Sequence, residues 1–145
     1  YIASETVTEE QIDDRPGDFG RVADSVVGLD ANYGYLMAMA GEGNSEEPVY
    51  GSALWKYDLH TGKCWEHHLG EGVRGGEPAF AADPESNGED EGWIITIVHS
   101  ETTGASKMII VDAQDFEAEP IATIQLPQRV PYGAHGSWIT DTSLL

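Results

Sequence analysis

In the stretch Leu54-Trp55-Lys56-Tyr57-Asp58-Leu59-His60-Thr61-Gly62-Lys63-Cys64-Trp65, apolar and polar residues roughly alternate on either side of a short connection from Asp58 to Gly62. Asp hydrogen-bonds its own backbone in tight turns, and Gly takes positive φ at no steric cost, so two strands closing as a hairpin are expected. Ile109-Ile110-Val111-Asp112-Ala113-Gln114-Asp115 repeats the idea less strictly, a strand running into Asp before a polar turn, with the next strand expected from Ile121. Strand, turn and strand repeated within one short chain is how propeller blades read, since each blade is a small antiparallel sheet stacked on its neighbours.

Outward from these hairpins the same texture continues. Runs of strand length rich in aromatic and β-branched residues span Tyr33 to Met39, Ala53 to Tyr57, Cys64 to Leu69, Gly92 to His99, Met108 to Val111, Ile121 to Leu126 and Tyr132 to Ile139. Gly, Pro, Asp and Asn punctuate the gaps, and no stretch carries a 3.6-residue apolar period bounded by helix caps. The chain therefore reads as all-β. At about 40 to 50 residues per blade it would hold about three blades, while a sandwich of about seven strands fits the same spacing. The first thirty residues are polar and lack a sustained period, so they are expected to form a loop or crossing segment.

The 145 residues carry 7 Lys and Arg against 26 Asp and Glu, a formal charge of −19. Three lysines and four arginines cannot build the basic face that a nucleic-acid binder needs, and an anionic membrane would repel this surface. No apolar run approaches the roughly 20 residues of a membrane-spanning helix. The acidic residues gather in turn-like stretches, Glu42 to Glu47 and Glu85 to Glu91, where solvation is the simplest expectation. The second stretch superficially resembles a calcium loop through Asp83, Glu85, Asn87 and Gly88, but Ile94 falls where a bidentate Glu is needed. A single cysteine, Cys64, cannot close an intrachain disulfide and reads as a buried small hydrophobe, so a cytoplasmic location is expected. The chain starts at Tyr1 and stops just after a strongly patterned stretch, and residues 1–145 are expected to be part of something longer.

Two residues stand in unusual surroundings. His135 lies in Pro131-Tyr132-Gly133-Ala134-His135-Gly136, where flanking glycines let backbone or a small prosthetic group approach the imidazole. A metal ligand would suit that setting, although a lone histidine on spacing alone more simply hydrogen-bonds within a β core. Glu77 lies in Arg74-Gly75-Gly76-Glu77-Pro78, held extended by the following proline. It reads equally as a carboxylate orienting an imidazole or as an ion-pair partner of Arg74. His67 and His68 are adjacent, so they face opposite sides of a strand and cannot chelate one ion together. His60 and His99 read as surface residues, and Trp55, Trp65, Trp93 and Trp138 as strand residues packed in the core. Neither a Gly-x-Ser-x-Gly elbow nor a Gly-rich phosphate loop leading into a helix is present, which counts against hydrolase and nucleotide-binding readings.

Gly75-Gly76-Glu77-Pro78-Ala79-Phe80, Glu91-Gly92-Trp93-Ile94, Met108-Ile109-Ile110-Val111-Asp112-Ala113 and Leu126-Pro127-Gln128-Arg129-Val130-Pro131-Tyr132-Gly133-Ala134-His135-Gly136 occur in an order that resembles the C-terminal end of the carotenoid cleavage oxygenases. Asn32-Tyr33-Gly34-Tyr35 and Ala53 to Gly62 resemble that family too. The resemblance runs from about Ile12 to Trp138. It implies the C-terminal blades of a seven-bladed β-propeller, with residues 1–145 a part of that single domain. It further implies a non-haem Fe(2+) held by four histidines that glutamates support from behind, and cleavage of a conjugated double bond of a carotenoid or apocarotenoid by O2. Stilbene-type phenolic olefins are an alternative substrate class, and a metal-free propeller used as a binding module is an alternative of another kind. By this resemblance His135 matches the last iron-ligating histidine and Glu77, 58 residues earlier, a glutamate behind the ligands, with Ala134 in place of the more usual Phe. The other ligands would lie upstream, so the chain alone is expected to be inactive, and any peripheral membrane contact would be made by the part outside it.

Overall fold

The structure is a computed structural model that describes residues 6–40, 49–133 and 135–141. Two antiparallel sheets follow one another along the chain. The first is built in chain order from β1 (Gly17–Arg21), β2 (Tyr33–Ala40), β3 (Val49–Asp58) and β4 (Cys64–His68). The second comprises β5 (Val73–Arg74), β6 (Ala79–Ala82), β7 (Gly92–Ser100), β8 (Ser106–Asp112) and β9 (Ala122–Gln125). Val73 pairs with Ser100 and Ala79 with Ile95, so β5 and β6 are two halves of one edge strand on β7, interrupted at residues 75–78. Each sheet is thus a sequential four-stranded meander, the construction of a propeller blade. The spacing led to about three blades; among the described residues there are two such sheets.

The hairpin between β3 and β4 closes as its sequence requires. The Asp58 carboxylate accepts the N–H groups of His60 and Thr61, both at 2.9 Å, and Gly62 takes φ 72° while donating to the Asp58 carbonyl. Those bonds hold the Asp58 carboxyl below its usual range.

Period-two alternation then sorts the side chains. Tyr35, Met37 and Leu54 on the first sheet meet Phe80, Ile94, Val98, Ile109 and Val111 on the second, one continuous core between the sheets. On the other face of the first sheet, Ala38, Ala53, Trp55 and Tyr57 form a second cluster. Arg15 lies 4.2 Å over the Trp55 ring and pairs with Asp13 and Glu66 there. Cys64 sits half-buried beside this cluster with its Sγ 3.2 Å from Arg15 Nη2, rather than deep in the core.

Among the described residues Lys56 is the one buried Lys, Arg, Asp or Glu. Only 4% exposed, it crosses from the first sheet to the second, where Nζ donates to Asp90 Oδ2 and to the Ala113 carbonyl, both at 2.7 Å, and lies 4.2 Å from the Tyr33 ring centre. A desolvated ammonium needs such partners.

Several expectations change here. The first thirty residues contain β1 and a 3₁₀ turn, Asp24–Val26, because β1 takes its pairing from β2. A five-residue strand with a register shift between Asp18 and Arg21 leaves no period to read. The acidic stretch from Glu85 to Glu91 is not merely solvated. Glu89 accepts the backbone N–H groups of Asn32 and Tyr33 at 2.7 and 2.8 Å, Asp90 meets Lys56, and Glu91 accepts from Ser86 and Gly88 within its own turn. The acidic stretch from Glu42 to Glu47 lies outside the described residues. Residues 132–139 are not a strand among the described residues, and Trp138 is 47% exposed. No helix among the described residues is long and apolar enough to cross a membrane.

Two substitutions test this core by denaturant unfolding. Lys56→Met leaves Asp90 and the Ala113 carbonyl without their donor and is expected to lower stability by about 3 kcal/mol, with Lys56→Met/Asp90→Ala recovering part of it. The fully buried Tyr35 hydroxyl has no hydrogen-bond partner among the described residues, so Tyr35→Phe is expected to raise stability by about 1 kcal/mol.

Candidate functional site

The break between β5 and β6 has a local cause. A Cβ on Gly76 would stand 2.7 Å from the Ile97 carbonyl oxygen of β7, so only glycine allows this approach. Pro78 has no N–H to continue the ladder and keeps Glu77 extended. The Thr96 hydroxyl donates to the Gly76 carbonyl at 3.0 Å and closes the gap from the β7 side.

Glu77 meets two other segments from this break. Arg21 Nε, at the end of β1, donates to Glu77 Oε1 at 2.7 Å, and the Gly136 N–H donates to Oε2. His135 Nδ1 lies 3.4 Å from Oε1. Arg21 Nη2 also donates to the Gly136 carbonyl, so the guanidinium grips both the carboxylate and the segment that bears His135. The Glu77 side chain is 8% exposed and the His135 side chain 78% exposed. Glu77 and His135 are therefore brought together, and the ion pair considered with Arg74 is made with Arg21 instead. Ala134 lies outside the described residues.

Around this centre, side chains dock residues 129–133 and 135–137, with no β-ladder among these described residues. Tyr50 stacks on Tyr132 at 4.5 Å between ring centres and donates to the Gly133 carbonyl at 3.2 Å. Tyr132 donates to Glu101 at 2.6 Å. Ser106 Oγ accepts the Val130 N–H at 3.0 Å and lies 2.9 Å from His99 Nδ1. Phe19 takes φ 58°, rare for a residue with a side chain, and sets its ring 5.7 Å from the His135 ring, edge to face, and 6.1 Å from Tyr50. An open cavity of about 160 Å³ lies here, lined by Tyr50, Glu77, Ile97, His99, Tyr132 and His135 among others.

His99 corrects its reading as a surface residue. It is 3% exposed because the segment carrying Tyr132 covers the end of β7, with the two rings 4.6 Å apart. Burial, reinforced by the nearby positive charge of Arg129, pushes its pKa below the ordinary 6.5, against an opposing pull from Glu101. His67 and His68 face opposite sides as alternation requires: His67 is buried with Nδ1 3.0 Å from the Phe116 carbonyl, and His68 is exposed. His60 is exposed beside the β3–β4 turn. Among the described residues no group of three or more His, Cys, Asp or Glu side chains could hold a metal ion.

Phe19, Arg21 and Tyr50 are not singled out by the sequence reading, and His99 is read there only as a surface residue. Arg21 and Phe19 lie in the bulged β1, whose strand character is set by pairing across the chain, and only the aromatic and basic side chains in Asp18-Phe19-Gly20-Arg21 hinted at more than a crossing segment.

Two four-stranded meanders, with one imidazole and one carboxylate meeting where their edge strands β1 and β5–β6 approach, define part of a β-propeller. The chain belongs to the retinal pigment epithelial membrane protein family, whose sequence model matches residues 2–140. It is 36% identical over 132 residues to the 9-cis-epoxycarotenoid dioxygenase of Oryza sativa, covering 88% of this chain and 20% of that protein. With the apocarotenoid-15,15'-oxygenase of Synechocystis it shares 32% identity over 136 residues, covering 94% of this chain and 27% of that one. The crystal structure of the cobalt-substituted Synechocystis oxygenase superposes with a TM-score of 0.83 at 31% identity, over 94% of this chain and 28% of the other. The chain thus spans under a third of the length of these relatives.

Because the folded state keeps His67 and His99 neutral while the unfolded chain protonates near 6.5, stability is retained above that pH and lost as pH falls through the depressed folded values. His99→Gln is expected to flatten this acid limb by up to about 1.4 kcal/mol per pH unit relative to the unsubstituted protein, read as unfolding midpoints between pH 7 and 5.

Proposed function

We propose that the chain is the C-terminal part of a non-haem iron(II) dioxygenase that cleaves a conjugated double bond of a carotenoid or apocarotenoid with O2, giving aldehyde or ketone products. The observation that carries this reading is the contact of His135 with Glu77, in a family whose matched members include dioxygenases and oxygenases named for such substrates. The cobalt-substituted relative supports a metal at the corresponding centre. Residues 1–145 would then be one part of a single propeller domain, and the 78% exposure of His135 agrees with a ring that meets the rest of that domain.

The residues present fit one position of such a centre. Imidazole is a suitable ligand for ferrous iron, and with Nδ1 directed at a carboxylate the Nε2 lone pair is the one left to ligate. Glu77 would fix the ring's tautomer and orientation, and its own bonds from Arg21 and Gly136 would hold it in place. When bound, ferrous iron would activate O2 for cleavage of the double bond into two carbonyl groups. The polyene would bind mainly by burial of hydrocarbon, for which Tyr50, Ile97 and Tyr132 supply apolar surface beside the ligand. The cytoplasm is the proposed location, on the single cysteine.

The test is iron content of the complete protein carrying this chain, expressed with ferrous iron. His135→Ala is expected to lose most of the metal, and equal occupancy would end the ligand assignment. Glu77→Gln is expected to fold while binding iron or turning over substrate on the order of 10 to 100-fold less well; unchanged activity counts against its role.

A further inference from the structure

We infer that Arg21 is a positioning residue of this centre, acting through Glu77 and through the backbone beside His135. The inference rests on the reading of His135 as a metal ligand. Three observations carry it. Glu77 is nearly covered, and among the described residues its nearest charged partner is Arg21, at 2.7 Å. The same guanidinium donates through Nη2 to the Gly136 carbonyl and lies 3.4 Å from Ser137 Oγ, so one planar fork spans the carboxylate and the residues following His135. The strand that presents it is irregular at this point: β1 shifts register between Asp18 and Arg21, and Phe19 within the shift takes positive φ and sets its ring in edge-to-face contact with His135.

The physical consequence follows from the shape of the donor. A bare carboxylate at the end of a glutamate rotates about its terminal torsion, and the imidazole it supports turns with it. A guanidinium that donates Nε to one oxygen and Nη2 to a neighbouring carbonyl removes that freedom, as a lysine ammonium cannot. The carboxylate can then accept the Gly136 N–H with Oε2 and face the imidazole with Oε1.

The experiment uses the complete protein, prepared metal-free and titrated with cobalt(II) alone, followed by visible absorption, with circular dichroism and thermal unfolding in parallel. Arg21→Gln is expected to weaken cobalt binding on the order of 10-fold or more while the fold is retained, and Arg74→Gln, the charge-matched control, to bind as the unsubstituted protein does. The double variant Arg21→Gln/Glu77→Gln is expected to bind scarcely more weakly than Glu77→Gln alone, because the two residues act in series. Unchanged affinity in Arg21→Gln, or losses that multiply in the double variant, overturns the inference. If Arg21→Gln does not fold, Arg21→Lys, which keeps the charge and loses the fork, is judged by the same two criteria. His135→Ala separates the two claims: if it binds cobalt normally, the ligand reading and this inference fall together, and if it loses cobalt while Arg21→Gln keeps it, only the role of Arg21 falls.

Discussion

A carboxylate lifted out of a β-ladder cannot remain unpaired once its side chain is covered, because leaving an ionised group without donors costs several kcal/mol. Glu77 is in that position, and its partners come from far along the chain: Arg21 from 56 residues before, His135 and Gly136 from 58 and 59 residues after. Satisfying one side chain therefore determines how the ends of two sheets and a strandless segment meet. Gly76 and Pro78 create the demand locally, since one admits the backbone against Ile97 and the other refuses to continue the ladder. The site arises where the sheet is prevented from completing itself.

The same logic operates in the core between the sheets. Ile94, Val98, Ile109 and Val111 bury fully and give non-directional stabilisation, roughly 1.5 to 3 kcal/mol for each such side chain. Apolar burial does not specify how the sheets are set against each other; Lys56 does, because its ammonium must reach both Asp90 and the Ala113 carbonyl. Glu89 adds a second directional tie from the same acidic loop to Asn32 and Tyr33. A loop that looks like a solvated charge run thus orients one blade on the next, and that orientation brings β1 within reach of Glu77.

The legible part of the molecule is the part governed by neighbours in sequence. Asp58 and Gly62 announce their turn because both act within five residues, and the alternation in β3, β4, β7 and β8 is visible because each strand pairs with its successor. Glu77 and His135 were legible as unusual residues and, through the family resemblance, as partners. His99 was misread because its cover, the segment bearing Tyr132, lies some thirty residues away. β1 was missed because a five-residue bulged strand takes its identity from β2.

By itself, then, the sequence determined the all-β class, the hairpins, the acidic surface and the two residues worth watching, since turn chemistry and period-two burial are local properties. Tertiary structure alone decided that β1 is a strand, that Arg21 rather than Arg74 pairs with Glu77, and that Phe19, Tyr50, Tyr132 and His99 pack around the segment carrying the imidazole. Those outcomes depend on which distant groups arrive within about 3 Å of a charge or 6 Å of a ring, and no spacing along a chain encodes that distance.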